Sequence, residues 1–451
     1  MKRFTNLILF SLGVILVLSV LSPCLNISVE VNPAESPLTI RVDAPILVNG
    51  DTGWASVPGI TGSGTSSDPY IIENKIIDGG GTTDCIRITD TTKHFIIRNC
   101  ELYNGDYGIF LDNVTNGQVV NNSIYNMGYS GILIYQGSNH ITILNNTCYD
   151  NTDHGIFLYG SNVDHISIIH NTCFDNSRGI FLYQGSDYNM LQDNEVYNNT
   201  QIGISLQISS NNTISGNVVT NNGDSGIQIS INSHDNTVNN NIASNNDAHG
   251  IELNGVNGNN ISYNIANDNK EAGIYIDSSN NNIITKNVLH RNAACINETG
   301  TSTGNTIVDN SCHAPTLTEG TVSPSSGDTS TQFVFSVIYT DADNQAPVRI
   351  QVYINGVPYD MSKLTPSDNT YSDGCIYIYQ TTMPPGNLHT YYFEAVDIIE
   401  VVRAPPTGEN LGPTVSGKIP GFTWIISILG LITIISLLFF LMREKYLWNL
   451  T

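Results

Sequence analysis

Proton transfer next to a carboxylate needs a base, an acid and a cation to hold the charge. This 451-residue chain carries side chains of those types just ahead of a recurring Gly-Ile pair: Tyr107, Asp153, His154 and Arg178. The same segments carry aromatic residues. Phe110, Phe157 and Phe181 follow the isoleucine directly, and Tyr135, Tyr159 and Tyr183 stand two places beyond that position. Aromatic rings suit sugars, whose rings present apolar faces. These residues admit three readings: a surface that binds glycans or other surface polymers, a polysaccharide lyase or uronate epimerase acting on acidic polysaccharide, and a ladder that only stiffens an envelope spacer without a ligand. The choice depends on the elements that position them.

Those elements repeat. Gly-Ile pairs begin at Gly108, Gly131, Gly155, Gly179, Gly203, Gly226, Gly250 and Gly273, steps of 23 or 24 residues, with Cys85 and Cys295 in the glycine place at either end. An asparagine row keeps the same period: Asn74, Asn99, Asn122, Asn146, Asn171, Asn194, Asn217, Asn241, Asn264, Asn287 and Asn310. Apolar residues keep phase with both rows, separated by Asn/Gly/Ser/Asp turns, and no helical period appears. A unit of this length with several short strands predicts an all-β fold, a right-handed parallel β-helix of about ten coils over residues 71–313. The asparagines are expected at tight turns that favour the left-handed region, stacked so that their amides bond along the rod. In each Gly-Ile strand, the residue between two inward positions should point outward, giving an aromatic strip about 15 Å long.

With the segment Ala44 to Asn74 (APILVNGDTGWASVPGITGSGTSSDPYIIEN) ahead of them, these coils resemble the NosD-type family of periplasmic or surface β-helix proteins, which share repeats with carbohydrate-processing β-helices. The resemblance covers about residues 44–312. It implies the β-helix fold, and the family's name implies copper handling. Methionine is scarce here, with 6 in the chain, and no Met-rich or His-x-x-His cluster occurs.

Composition bounds the rest. Only 13% of residues are charged and the net charge is −23, which excludes phosphate backbones and hence nucleic acid as a partner. No cofactor is called for; calcium is the one ion such a surface would attract, although no EF-hand loop is present. Lys2 and Arg3 precede an apolar run from Leu7 to Leu21, the pattern of a secretory signal over residues 1–26. A cap segment is expected over 27–70. After the rod, residues 314–410 alternate apolar and polar, with turns at Asn355-Gly356 and Asp373-Gly374, and resemble an immunoglobulin-like or PKD-like sandwich serving as a stalk. A linker (411–421), an uncharged span (422–442) and a tail (443–451) with Arg443 and Lys445 predict a single-pass cell-surface protein whose tail faces the cytoplasm. Cys148 and Cys173 fall in one inward row on neighbouring coils, as stacked core thiols or a disulfide. Sequons at Asn26, Asn113, Asn121, Asn145, Asn198, Asn211, Asn260 and Asn297 would make a secreted chain a glycoprotein.

Overall fold

The computed structural model describes residues 42–397 and 400–417. The expected signal, membrane span and cytoplasmic tail lie outside them. Among the described residues no helix is long and apolar enough to cross a membrane.

Residues 43–312 wind into a parallel β-helix with three sheets. Sheet one has eleven strands, from Ile46–Asn49 to Ala294–Thr299. Sheet two has eleven, from Tyr70–Glu73 to Thr306–Val308. Sheet three has eight, from Ile76–Asp78 to Ile242–Ser244. Strand order within each sheet is chain order, every third strand pairing with the next coil until sheet three ends, and every second strand thereafter. The first strand of sheet one thus lies inside the stretch expected as a cap. There Trp54 is fully buried, stacks on Tyr70 at 4.8 Å and donates to Thr91 Oγ1, closing the first coil.

Side-chain alternation explains the packing. Ile109, Ile132, Ile156, Ile180, Ile204, Ile227, Ile251 and Ile274 form one continuous inward row with no solvent exposure, and each buried side chain contributes roughly 1.5–3 kcal/mol. The preceding glycines have a steric cause: a Cβ on Gly155 would stand 2.7 Å from the carbonyl oxygen of Gly179 and 3.0 Å from Cys173.

The asparagine ladder runs as expected from Asn122 to Asn310. Asn194 Nδ2, for example, donates to Asn217 Oδ1 at 2.8 Å and to the Ile168 carbonyl at 2.9 Å. Its start and its cause need correction. Strand register pairs Ile97, not Ile96, with Val119, so Cys100 occupies the ladder place and Asn99 stands one residue outside it, exposed. Cys100 N donates to Asn122 Oδ1 at 3.0 Å. The left-handed backbone belongs to the residue before each ladder asparagine, at Asn99, Asn121, Asn145, His170 and Asp193. The ladder asparagines are there for their amides, which satisfy buried backbone groups at the corner. Two further ladders line the other corners with the same period, one through Asn151, Asn176, Asn199, Asn222, Asn246 and Asn269, the other through Asn189, Asn212, Asn236, Asn259 and Asn282.

Cys148 and Cys173 are direct register partners, buried and free. The disulfide considered there is not formed: side chains on neighbouring parallel strands project alongside each other rather than converging. The disulfide is Cys295–Cys312, with Cα atoms 5.3 Å apart, tying the last strand of sheet one to the chain beyond sheet two.

Beyond the rod, Thr316–Ser416 forms a mainly antiparallel β unit with its own core of Phe333, Phe335, Val352 and Phe393. Its loops grip the last coils. Asp343 Oδ2 accepts from the backbone N–H groups of Cys312 (2.6 Å) and His313 (2.7 Å), and Glu400 pairs with Arg291, which also holds Asp268.

Candidate functional site

The outer face of sheet one carries three columns of side chains. The first holds Tyr107, Ser130, His154 and Arg178, with His154 and Arg178 direct register partners. The second holds Arg87, Phe110, Leu133, Phe157, Phe181 and Ser205. The third holds Asp112, Tyr135, Tyr159, Tyr183 and Gln207.

The central column points outward, yet Phe110 (8%), Leu133 (4%) and Phe181 (5%) are almost closed to solvent. The first column and Arg87 cover it. The Arg87 guanidinium lies 3.8 Å above the Phe110 ring and that of Arg178 4.4 Å above Phe181. His154 meets Phe157 and Phe181 edge-on at 4.7 and 5.1 Å. Phe110 and Phe181, expected among the ligand contacts, therefore form a floor, while half-buried Phe157, Tyr135, Tyr159 and Tyr183 remain accessible.

Ring orientation separates this strip from a second ladder that sequence reasoning missed. On sheet three Tyr103, Tyr125, Tyr149, Phe174 and Tyr197 stack within 17° of parallel at 4.9–5.5 Å. Each ring face there is sealed by its neighbour, which stabilises the sheet and leaves only ring edges outward. From Tyr125 on, these rings stand three places after each ladder asparagine, a spacing that would have revealed them. On sheet one Phe157, Tyr159, Phe181 and Tyr183 also stack, within 23° of parallel, but the order breaks at Tyr135, which differs from Phe110 by 40° and from Tyr159 by 59°. The stack opens around Tyr135.

Electrostatics assigns the polar groups. Asp84 is buried, bonds to Arg87 and accepts from the Tyr107 N–H, and burial outweighs these contacts and raises its carboxyl above the usual range. Burial raises the Tyr107 phenol, and the Asp153 carboxylate adds to the effect. Burial, then the Arg178 charge, pushes His154 down to about 4, so its imidazole is neutral at pH 7. His154 Nδ1 and Arg178 Nε are buried without a hydrogen-bond partner. The structure thus joins His154 to Arg178, with Asp153 beside them, and leaves Tyr107 two coils away.

Towards the C-terminus the same face becomes polar and self-satisfied. Glu252 accepts from Ser225 (2.9 Å) and Gln228 (3.0 Å), and His249 Nε2 meets Glu271 at 3.1 Å. The clefts found among the described residues lie off this face, one of about 550 Å³ between Lys286 and the Asp343 loop.

Fold and face together define a right-handed parallel β-helix protein with an aromatic strip on one sheet. Two family models match the chain: "Periplasmic copper-binding protein (NosD)" over residues 45–224 and "Right handed beta helix region" over 162–312. None of the curated proteins compared with it matches in sequence. Among similar solved structures are the A-module of Azotobacter vinelandii mannuronan C-5 epimerase AlgE6 (14% identity, 54% of this chain and 77% of that one, TM-score 0.45), the periplasmic alginate epimerase AlgG (15%, 53% and 76%, 0.39) and the Dettilon tailspike protein (14%, 69% and 83%, 0.39). Likeness at this level says nothing of chemistry.

The residues do not fit copper. Cys85, Cys100, Cys148 and Cys173 are buried, with the Cys85 thiol pushed up to about 12 and that of Cys100 to about 11, chiefly by burial. Met127 is buried and its sulfur accepts from the Gly105 N–H. His140 and His165 stack ring on ring at 5.1 Å. Among the described residues no group of three or more His, Cys, Asp or Glu is placed to hold a metal ion.

Proposed function

We propose that this protein binds an extended glycan along the aromatic half of sheet one's outer face, in a cell-surface role in adhesion or envelope organisation. The observation that carries this reading is the open tyrosine column, Tyr135, Tyr159 and Tyr183, beside a floor of phenylalanines that its neighbours cover. Coils repeat at the strand spacing of about 4.8 Å, so a polymer lying along the rod meets an equivalent ring on successive coils. Each ring contact is worth about 1 kcal/mol, and several in line make a useful affinity. Phe157→Ala with Tyr159→Ala is expected to abolish retention on an acidic-polysaccharide array while circular dichroism stays unchanged; retention at the wild-type level would remove the idea.

A uronate lyase or epimerase is the second reading, favoured by the adjacency of His154 and Arg178. Tyr107 stands two coils from His154 on the same face. Incubation with uronate polymers, followed for unsaturated products in the ultraviolet and for altered sugar configuration by NMR, tests it. A bare spacer, by contrast, tolerates substitution of the whole strip and binds nothing.

The antiparallel unit serves as an immunoglobulin-like stalk in this reading, with residues 422–442 as the membrane anchor and the rod outside the cell. The Cys295–Cys312 disulfide supports an oxidising setting.

A further inference from the structure

We infer that the glycan taken on this face carries a singly charged anionic substituent, a carboxylate or a sulfate ester, and that Arg178, stacked on Phe181 beside His154, anchors it. This rests on the reading of the face as a glycan site.

Three observations lead there. In a chain of net charge −23, Arg178 is the one described arginine of the rod with no carboxylate within salt-bridge distance, whereas Arg87, Arg98 and Arg291 have one; in the antiparallel unit Arg349 is paired and Arg403, stacked over Tyr392 with its own Nε buried, is not. Its guanidinium rests on the Phe181 ring with Nε buried and unpaired, and the preceding coil places His154, whose Nδ1 is equally unpaired, alongside. Buried polar atoms of this kind destabilise a fold unless something completes them, and both side chains stand on the outer face, across Phe157 and Phe181 from Tyr159 and Tyr183. The planar fork of arginine matches a carboxylate or sulfate through two parallel hydrogen bonds. The His154 imidazole is neutral at pH 7, so the one positive charge that faces the ligand is that of Arg178. The other arginine of the face, Arg87, is neutralised by Asp84, which confines the anionic subsite to the His154 and Arg178 coils. Long-range repulsion from the acidic chain is largely screened beyond about 8 Å at physiological salt.

Affinity electrophoresis of the full chain in gels containing polygalacturonate, a sulfated galactan or neutral mannan tests the inference. Wild type is expected to bind an acidic polymer more tightly than mannan, and the acidic polymer that retards it more identifies the substituent. Arg178→Gln should weaken acidic binding by about tenfold or more, the loss of a charged hydrogen bond, and so remove the preference for the acidic polymer over mannan. Arg178→Lys should recover part of the preference, which excludes misfolding as the cause. Tyr159→Ala should weaken binding to every polymer. An unchanged acidic preference in Arg178→Gln, or no preference in wild type while mannan still binds, overturns the anionic subsite and leaves the glycan reading standing. No retardation by any polymer overturns both.

Discussion

At His154 burial and the neighbouring Arg178 charge act in the same direction, and the consequence is a pH dependence with a definite sign. The imidazole titrates near 6.5 in the unfolded chain and at about 4 in the fold. Between those values the unfolded state binds more protons. The contribution is therefore complete above pH 6.5 and is lost as pH falls towards 4, about 3 kcal/mol in all. Asp84 and Asp153, raised by burial, work in the opposite sense, since the fold binds their protons more readily as pH falls. Denaturation midpoints measured from pH 7 to pH 4 should fall less in His154→Gln than in wild type; parallel curves would show that the ring is not desolvated. The same residue-scale packing explains why Phe110 and Phe181 are floor: a planar cation above a ring closes the face that a sugar would need.

At the scale of the element, the asparagine ladder and the turn beside it make different demands on adjacent residues. Asn194 accepts from the Asn171 backbone N–H and side-chain amide and donates to Ile168 O and Asn217 Oδ1, all in buried surroundings. Asn194→Ala leaves several of these groups unsatisfied and should cost about 3 kcal/mol or more. Asn99 is exposed, with φ 54°, and Asn99→Ala should cost only about 1 kcal/mol for the left-handed backbone. Urea unfolding of the two variants compares them directly; equal losses would mean that the ladder's hydrogen bonds add nothing beyond turn geometry. Sheet strands supply the remaining stability through their inward isoleucines.

At the scale of the whole molecule, a stack of coils is held mainly by nearest-neighbour contacts, so its ends are its weak points. The first coil is closed by Trp54 and the last by the Cys295–Cys312 disulfide together with the Asp343 and Glu400 contacts. The disulfide closes a loop with a sequence separation of 17, worth about 3 kcal/mol by the loop-entropy account. Replacing both cysteines by serine should speed hydrogen exchange in Ala294–Thr299 and Thr306–Val308 while the coils around Ile156 keep their protection. Uniform loss of protection along the rod would mean that it unfolds as one cooperative unit.

The period of Gly-Ile and Asn by itself determined the coil, the inward isoleucine row, the outward direction of Phe157 and Tyr159 and the adjacency of Cys148 to Cys173. In a fold whose pairing partner is always the next repeat, spacing along the chain is position in space. Only the tertiary structure decided that Arg87 and Arg178 lie over Phe110 and Phe181, that His154 faces Arg178 rather than Tyr107, that the ladder begins at Cys100, and that Cys295 pairs with Cys312. Those outcomes depend on packing between side-by-side columns and on the backbone conformation at each corner, and a repeat period carries no information about either.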